Sequence, residues 1–440
     1  MLEILMTKTN QLSDHLEDSS GSDVRRFLLA RYHAVRRQTC DLCSPLAVED
    51  YVIQSMPDVS PPKWHLAHTS WFFETFLLVP LLKSYRLFHP QYAYLFNSYY
   101  ETLGTIYSRK HRGLLSRPTT QSIYEYRAYV DEHMEKLVES VAEENWQTCF
   151  DRLVLGIHHE QQHQELLCTD IKHIFASNPL KPVYRPLAEN RPRLTITPDK
   201  IAWIPFDGGV INIGHSDREF AFDNEQPRHH VYLENFYCGS RLVTNAEYNE
   251  FIQDGGYQRS SYWLSDGWKT VKEQQWCAPL YWQRIEDKWW SMTLSGMRVV
   301  DDNEPVCHVS YYEADAFARW AGKRLLTEAE WEHAAGSCQL LGNFRESGIL
   351  HPIPAQRNNS MQQIFGDVWE WTQSPYAPYP GYRLPAGAIG EYNGKFMCNQ
   401  MVLRGGSCVT PSSHMRVTYR NFFFPADRWQ FSGIRLGADR

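Results

Sequence analysis

The run His159-Glu160-Gln161-Gln162-His163 sets two histidines four positions apart. On a helix that spacing puts both imidazoles on one face about one turn apart, so two metal ligands are aligned by secondary structure alone. His158 is five positions from His163 and points well off that face, which makes His159 the better partner. A third ligand has to come from elsewhere. His68, in Pro61-Pro62-Lys63-Trp64-His65-Leu66-Ala67-His68, lies on an otherwise aromatic and apolar helical stripe, with His65 as its competitor. Three neutral imidazoles suit Fe(II), Zn, Ni or Cu, so ligand type does not name the metal. The bland alternatives are histidines on a solvated helix face and a core histidine satisfied by a hydrogen bond. The same five residues also fit HExxH, in which the Glu is the general base of a zinc hydrolase. Against that, Glu160 points away from the face the histidines share, and no peptidase-like strand is evident. A metal-dependent thiol transferase on a helical bundle is a further rival.

Such a site needs facing helices, and the first 178 residues supply them: apolar residues recur at helical spacing and glycines are few. After Ser60, a capping residue, and Pro61 in the first turn, Trp64, His68, Trp71, Thr75 and Leu78 follow one face. A long helix is predicted from about Trp146 to Phe175, and four or so such helices imply a bundle whose core can hold a metal. The stretch Asn178 to Lys200 carries five prolines and little periodicity, so a boundary falls there. Beyond it short strands, many Gly and Trp, and capping boxes at Thr244 to Glu247, Ser310 to Glu313 and Thr327 to Glu330 predict an irregular α+β domain. The expected division is a tail over 1–20, a helical metal-binding domain over 21–180, a Pro-rich linker over 181–200 and a second domain over 201–440.

Composition narrows the partners. A chain of 440 residues with 43% apolar and 22% charged residues is a soluble two-domain protein by expectation. Its formal charge of −7 argues against a phosphate-backbone partner, which would need clustered Lys and Arg. The first twenty residues lack the basic and apolar regions of a signal peptide, and the greasiest stretch, WFFETFLLVPLL, is too short to span a bilayer. A cytoplasmic protein with no membrane partner is expected, and self-association into a homo-oligomer is left open. The ten scattered cysteines suit reduced thiols, and Cys40 and Cys43 form a lone CxxC with neither a second pair nor a thioredoxin-like context.

PPKWHLAH, then His159, His163 and Glu165 as HxxxHxE, and the tail TYRNFFFPADRWQFSGIRLG resemble the sulfoxide synthases of ergothioneine biosynthesis, the EgtB family. The likeness runs over nearly the whole chain. It implies an N-terminal DinB-like four-helix bundle followed by a domain similar to formylglycine-generating enzymes and sulfatase-modifying factors, marked by GDVWEWT at Gly366 to Thr372, LRGGS at Leu403 to Ser407 and SGIRL at Ser432 to Leu436. It further implies Fe(II) held by His68, His159 and His163, with O2 as co-substrate, and a carbon–sulfur bond formed between a thiol and the imidazole of hercynine, Nα-trimethylhistidine. Three histidines leave open positions on such a metal, so the reactants can be gathered before oxidation begins. A two-cysteine copper site of the formylglycine-generating type is not expected, because Cys408 follows the LRGGS run alone.

The resemblance also assigns substrate contacts. Gln162 is expected to touch the hercynine imidazole, and Asn421 its carboxylate and trimethylammonium end. Phe422 and Phe423 offer the aromatic faces that a quaternary ammonium favours. Family members that take gamma-glutamylcysteine carry an acidic residue after an Asn-Trp pair here; its replacement by phenylalanine argues for free cysteine as the thiol donor. Gamma-glutamylcysteine and a selenosugar remain the alternatives. Arg109 and Arg112 are candidates for the cysteine carboxylate, which a guanidinium matches with a bidentate fork. Tyr99 and Tyr100 are the expected proton or electron donors to the oxygen chemistry, with Tyr376 and Tyr379 as the alternative pair.

Overall fold

The computed structural model describes residues 21–186, 196–217 and 219–440. The expected tail over 1–20 and the middle of the Pro-rich linker lie outside them. The chain divides into two compact units: one holds the residues up to Ser177 together with Asp217–Phe220 and Leu384–Tyr392, and the other holds Asn178–Ser216, Ala221–Arg383 and Asn393–Arg440.

Among the described residues four long helices build the first unit: α1 (Gly21–Cys43), α2 (Pro62–Phe73), α3 (Thr120–Ser140) and α4 (Glu143–Ser177). α1 lies on α4, and α2 packs against both α3 and α4. Pro62 starts α2, since its fixed φ suits the first turn and its missing N–H costs nothing there. Ser60 is not the cap: Pro61 holds that position, and the Ser60 N–H donates to the Asp170 carboxylate on α4 at 2.8 Å. The single stripe read from the sequence understates this helix, because all twelve of its residues are buried. Past Phe73 it runs into a π-helical turn, Glu74–Leu78. There the buried Glu74 carboxylate accepts hydrogen bonds from the hydroxyls of Tyr126, at 2.7 Å, and Tyr85. α4 begins with Glu143 and Glu144, acidic groups that complement the positive end of the helix. Gly156 lets α2 and α4 meet closely; a Cβ there would fall 2.4 Å from the Phe73 ring.

The second unit is built on two four-stranded sheets. One has the order β1 (Trp203–Phe206), β4 (Phe236–Gly239), β13 (Leu436–Asp439), β8 (Arg324–Leu325), so the last strand of the chain is an interior one. The other runs β11 (Asn421–Phe423), β10 (Met401–Arg404), β9 (Trp369–Pro375), β12 (Ser432–Gly433). A hairpin of β2 (Gly209–Ile213) and β3 (His229–Leu233) and a three-stranded meander of β5 (Trp282–Ile285), β6 (Lys288–Thr293) and β7 (Gly296–Val299) complete the strands. Helices α5 (Asn245–Gln253), α6 (Tyr311–Trp320) and α7 (Glu328–Ala335) each open with the capping box expected from the sequence. Buried Arg435 forks onto Glu370, which also accepts from the Trp331 indole, so the SGIRL and GDVWEWT segments are tied by a satisfied charge pair.

Candidate metal centre

His159 and His163 sit one turn apart on α4, and His68 reaches them from α2. The three offer one ring nitrogen each within 4.8 Å of one another, and they are the only such group of His, Cys, Asp or Glu among the described residues. Nε2 of His68 and Nε2 of His159 are 3.2 Å apart. Two metal–nitrogen bonds of about 2.1 Å meeting near a right angle would set their nitrogens roughly 3 Å apart, so this spacing fits a shared cation. Without a cation the same contact is a hydrogen bond from one ring N–H to the other ring's lone pair.

The protonation states agree. His68 Nδ1 donates to the Phe96 carbonyl at 2.6 Å, which leaves its Nε2 as an acceptor. Burial pushes the pKa of all three rings down, His159 to about 3, and neighbouring rings lower those of His68 and His163 further. All three are therefore neutral ligands at ordinary pH. Trp64 stacks on the His68 ring at 4.5 Å and 12°, and Trp71 at 5.5 Å and 18°, so its orientation is set by packing. His159 lies between Phe72, at 4.5 Å, and Tyr392, at 5.6 Å. His65, the rival for the third position, faces His163 Nδ1 and Asp170 instead of joining the nitrogen cluster.

Glu160 turns away, as its place beside His159 requires. Its carboxylate accepts from Arg127 at 2.6 Å, Arg36 at 3.0 Å and Thr39 at 2.6 Å, all buried. Burial alone would raise its pKa, but the two guanidinium groups win and hold it down to about 2. A carboxylate so engaged is not available as a general base, which removes the basis of the zinc-hydrolase reading.

Around the metal ligands the structure assembles part of the expected set. Gln162 is half-buried beside His163, and its Oε1 accepts from the Tyr392 hydroxyl. Tyr100 is buried against Tyr99, Trp71 and Phe76, and burial pushes its pKa up, so the phenol keeps its proton. Asn97 brackets it, accepting from the Tyr100 N–H and donating to the Tyr100 carbonyl. Tyr99 meets the Tyr392 ring edge-on at 6.3 Å. Glu391 fixes this corner by accepting from the backbone N–H groups of Glu101 and Thr102.

Arg112 is buried with its guanidinium 3.3 Å from the Trp64 ring centre and bonded to the Ser60 and Ser98 hydroxyls. No carboxylate among the described residues forms an ion pair with it, and burial pushes its pKa down. A buried cation of this kind calls for an anion. Arg109 is exposed and donates to the Asp58 carbonyl at 2.5 Å.

The remaining candidates belong to the second unit. Phe422 stacks on Tyr376 at 4.0 Å and 11°, and Asn421 Oδ1 accepts from the Phe422 N–H. Phe423 is edge-on to Trp429 at 5.7 Å. The Tyr376 hydroxyl accepts from Asn224 at 2.9 Å, while the Tyr379 hydroxyl accepts from Arg404 and approaches Glu328. Both tyrosines are thus tied into a buried polar network with Arg420, whose guanidinium lies 3.9 Å from the Tyr379 ring centre. Cys408 is buried beneath the LRGGS turn and Cys43 at the end of α1; burial pushes the Cys43 thiol up, away from thiolate chemistry.

Tyr392 is the residue the sequence reading missed. It stands in AIGEYNGKF, with no motif around it, and reaches the metal ligands only because Leu384–Tyr392 returns to the helical unit.

A helical bundle with a buried three-histidine cluster that could hold a metal ion, joined to an α+β domain with an interior C-terminal strand, defines a two-domain protein with a candidate metal centre. Residues 31–167 match the DinB superfamily, and residues 187–440 match the sulfatase-modifying factor enzyme 1-like domain. The chain is 33% identical over 313 residues to the hercynine oxygenase of Mycolicibacterium smegmatis, covering 66% of this chain and 72% of that one. It is 30% identical over 414 residues to the hercynine oxygenase of Mycolicibacterium thermoresistibile, covering 87% and 88%. To the formylglycine-generating enzyme of Mus musculus it is 26% identical over 298 residues, 57% of this chain and 79% of that one. The chain belongs to the hercynine oxygenase family.

Proposed function

We propose that this protein is an Fe(II)- and O2-dependent sulfoxide synthase that joins hercynine to cysteine in ergothioneine biosynthesis. The observation that carries the reading is the cluster of three neutral, buried histidines with no carboxylate among them. Bound iron would supply the redox chemistry, with open coordination positions for both substrates and O2. The reaction balances as hercynine C–H plus thiol S–H plus O2 giving the C–S bond, the sulfoxide oxygen and one water. His68, His159 and His163, all neutral, would leave the full charge of a bound cation to attract an anionic thiol donor.

The protein's own groups divide the remaining work. Tyr392 fixes the Gln162 amide by donating to its Oε1, so the Gln162 N–H groups are aimed as donors toward an imidazole nitrogen. Tyr100 keeps its proton, packs on the same Trp71 that stacks on His68 and is the proposed donor, with Tyr99 stacked on it. Arg112 is the proposed partner of the cysteine carboxylate, with Arg109 at its exposed side. Asn421, Phe422 and Phe423 are proposed, on the family resemblance, for the hercynine carboxylate and trimethylammonium end. The absence of an acidic residue at Phe422 and Phe423 supports cysteine over gamma-glutamylcysteine, whose free ammonium would want a carboxylate.

The test is anaerobic loading with Fe(II), then O2 with hercynine and either thiol, the products read by mass. Hercynylcysteine sulfoxide should dominate with cysteine; inactivity with both thiols would overturn the proposal, and a preference for gamma-glutamylcysteine would overturn the donor assignment. Tyr100→Phe should cut the sulfoxide yield about a hundredfold, the lower end for loss of a proton donor, and raise simple thiol oxidation. Tyr376→Phe should leave the product ratio unchanged, and the reverse pattern would move the donor role to Tyr376.

A further inference from the structure

The nitrogen of His163 that faces away from the cluster is not left to packing. Its Nδ1 lies 2.9 Å from Nδ1 of His65, and Nε2 of His65 lies 3.0 Å from the Asp170 carboxylate, with all three side chains buried. Two ring nitrogens in contact need one N–H and one lone pair, and an ionised carboxylate can only accept. The proton of His65 is therefore on Nε2, toward Asp170, which leaves its Nδ1 as an acceptor. His163 must then carry its proton on Nδ1, and its Nε2 lone pair is left for the cluster with His68 and His159. Each assignment forces the next.

We infer that His65 and Asp170 are positioning residues that set the tautomer, ring orientation and donor strength of His163 as a ligand; this rests on the metal-centre reading above. The three ligands differ in what stands behind them. His68 is backed by a neutral carbonyl, that of Phe96, and His159 Nδ1 has no hydrogen-bond partner among the described residues. Only His163 is connected to a carboxylate, so it is the ligand whose electron donation the protein strengthens. The same Asp170 oxygen accepts from the Ser60 N–H, just before α2, and so joins the relay to the helix that carries His65 and His68. The spacing fits: His65 precedes His68 by three residues on α2, and Asp170 follows His163 by seven on α4, so each supporter shares a helix face with a ligand and the two faces meet at the His65–His163 contact.

The experiment measures the metal without substrates. Fe(II) affinity is read by competition with a chromogenic chelator, and the Fe(III)/Fe(II) midpoint potential by titration, in the full-length protein. Asp170→Asn keeps an acceptor for the Ser60 N–H but removes the charge; it should bind Fe(II) about 10- to 100-fold more weakly and raise the potential, at nearly unchanged melting temperature. His65→Gln can still accept from His163 and donate to Asp170, and should retain affinity within about tenfold, while His65→Leu should match or exceed the loss in Asp170→Asn. Asp170→Asn and His65→Leu proteins that bind Fe(II) within about threefold of the wild type at an unchanged potential would overturn the inference and leave the pair a structural tie. A wild-type protein that fails to bind Fe(II) would instead overturn the metal-centre reading itself.

Discussion

Replacing His159 by alanine is expected to yield a folded protein that no longer holds iron after desalting. With only three protein ligands, all neutral, removal of one takes away a third of what the protein offers the metal. Loss of a mere supporting partner already costs about 10–100-fold in affinity or activity, so loss of the ligand should exceed about a hundredfold. O2 uptake with hercynine and cysteine should vanish in parallel. The fold should survive, because among the described residues His159 Nδ1 has no hydrogen-bond partner, and its ring packs between Phe72 and Tyr392. Truncation removes the contact with His68 Nε2 and leaves a cavity costing roughly 2–4 kcal/mol, as for other core truncations. Iron per chain by chelator assay, beside far-UV circular dichroism, checks both halves; a variant that keeps one iron per chain would show that His159 is not a ligand.

What the sequence made legible follows periodicity and local chemistry. The His159 and His163 pair, the long helix that carries it and the three capping boxes are all local patterns, and each is present. Spacing alone left His65 and His68 as rivals; the fold divides their labour, with His68 in the cluster and His65 behind His163. Features that depend on the chain returning to itself were not legible. No local rule brings Asp217–Phe220 and Leu384–Tyr392 into the helical unit, and with them Tyr392 to the ligands. The π-helical turn at Glu74–Leu78 was equally hidden, since its buried carboxylate is stabilised by tyrosines 11 and 52 residues away. Ser60 shows a weaker failure of the same kind: its residue type favours a cap, but tertiary partners on α4 and Arg112 claim it first.

Glu160 provides the second large effect, on stability. It is wholly buried, and Arg36 and Arg127 are buried with it, so removing its charge leaves the Arg127 guanidinium without its anion and Arg36 with only Asp131, at 2.7 Å. Glu160→Gln should therefore destabilise the helical unit by about 3–5 kcal/mol, the range for breaking one side of a buried ion pair. The pH dependence has a definite sign. In the folded protein the carboxyl is held down to about 2, below its unfolded value near 4.5, so its stabilisation is fully present above about pH 4.5 and is lost as pH falls toward 2. A depression of that size corresponds to roughly 3 kcal/mol, in keeping with the cost of the substitution. Urea unfolding at pH 7 and again near pH 3 measures both: the gap between wild type and Glu160→Gln should be large at neutral pH and narrow on acidification. A variant as stable as the wild type at pH 7 would mean that Asp131 suffices for Arg36 and that Arg127 finds another partner, and would return Glu160 to contention as an active-site base.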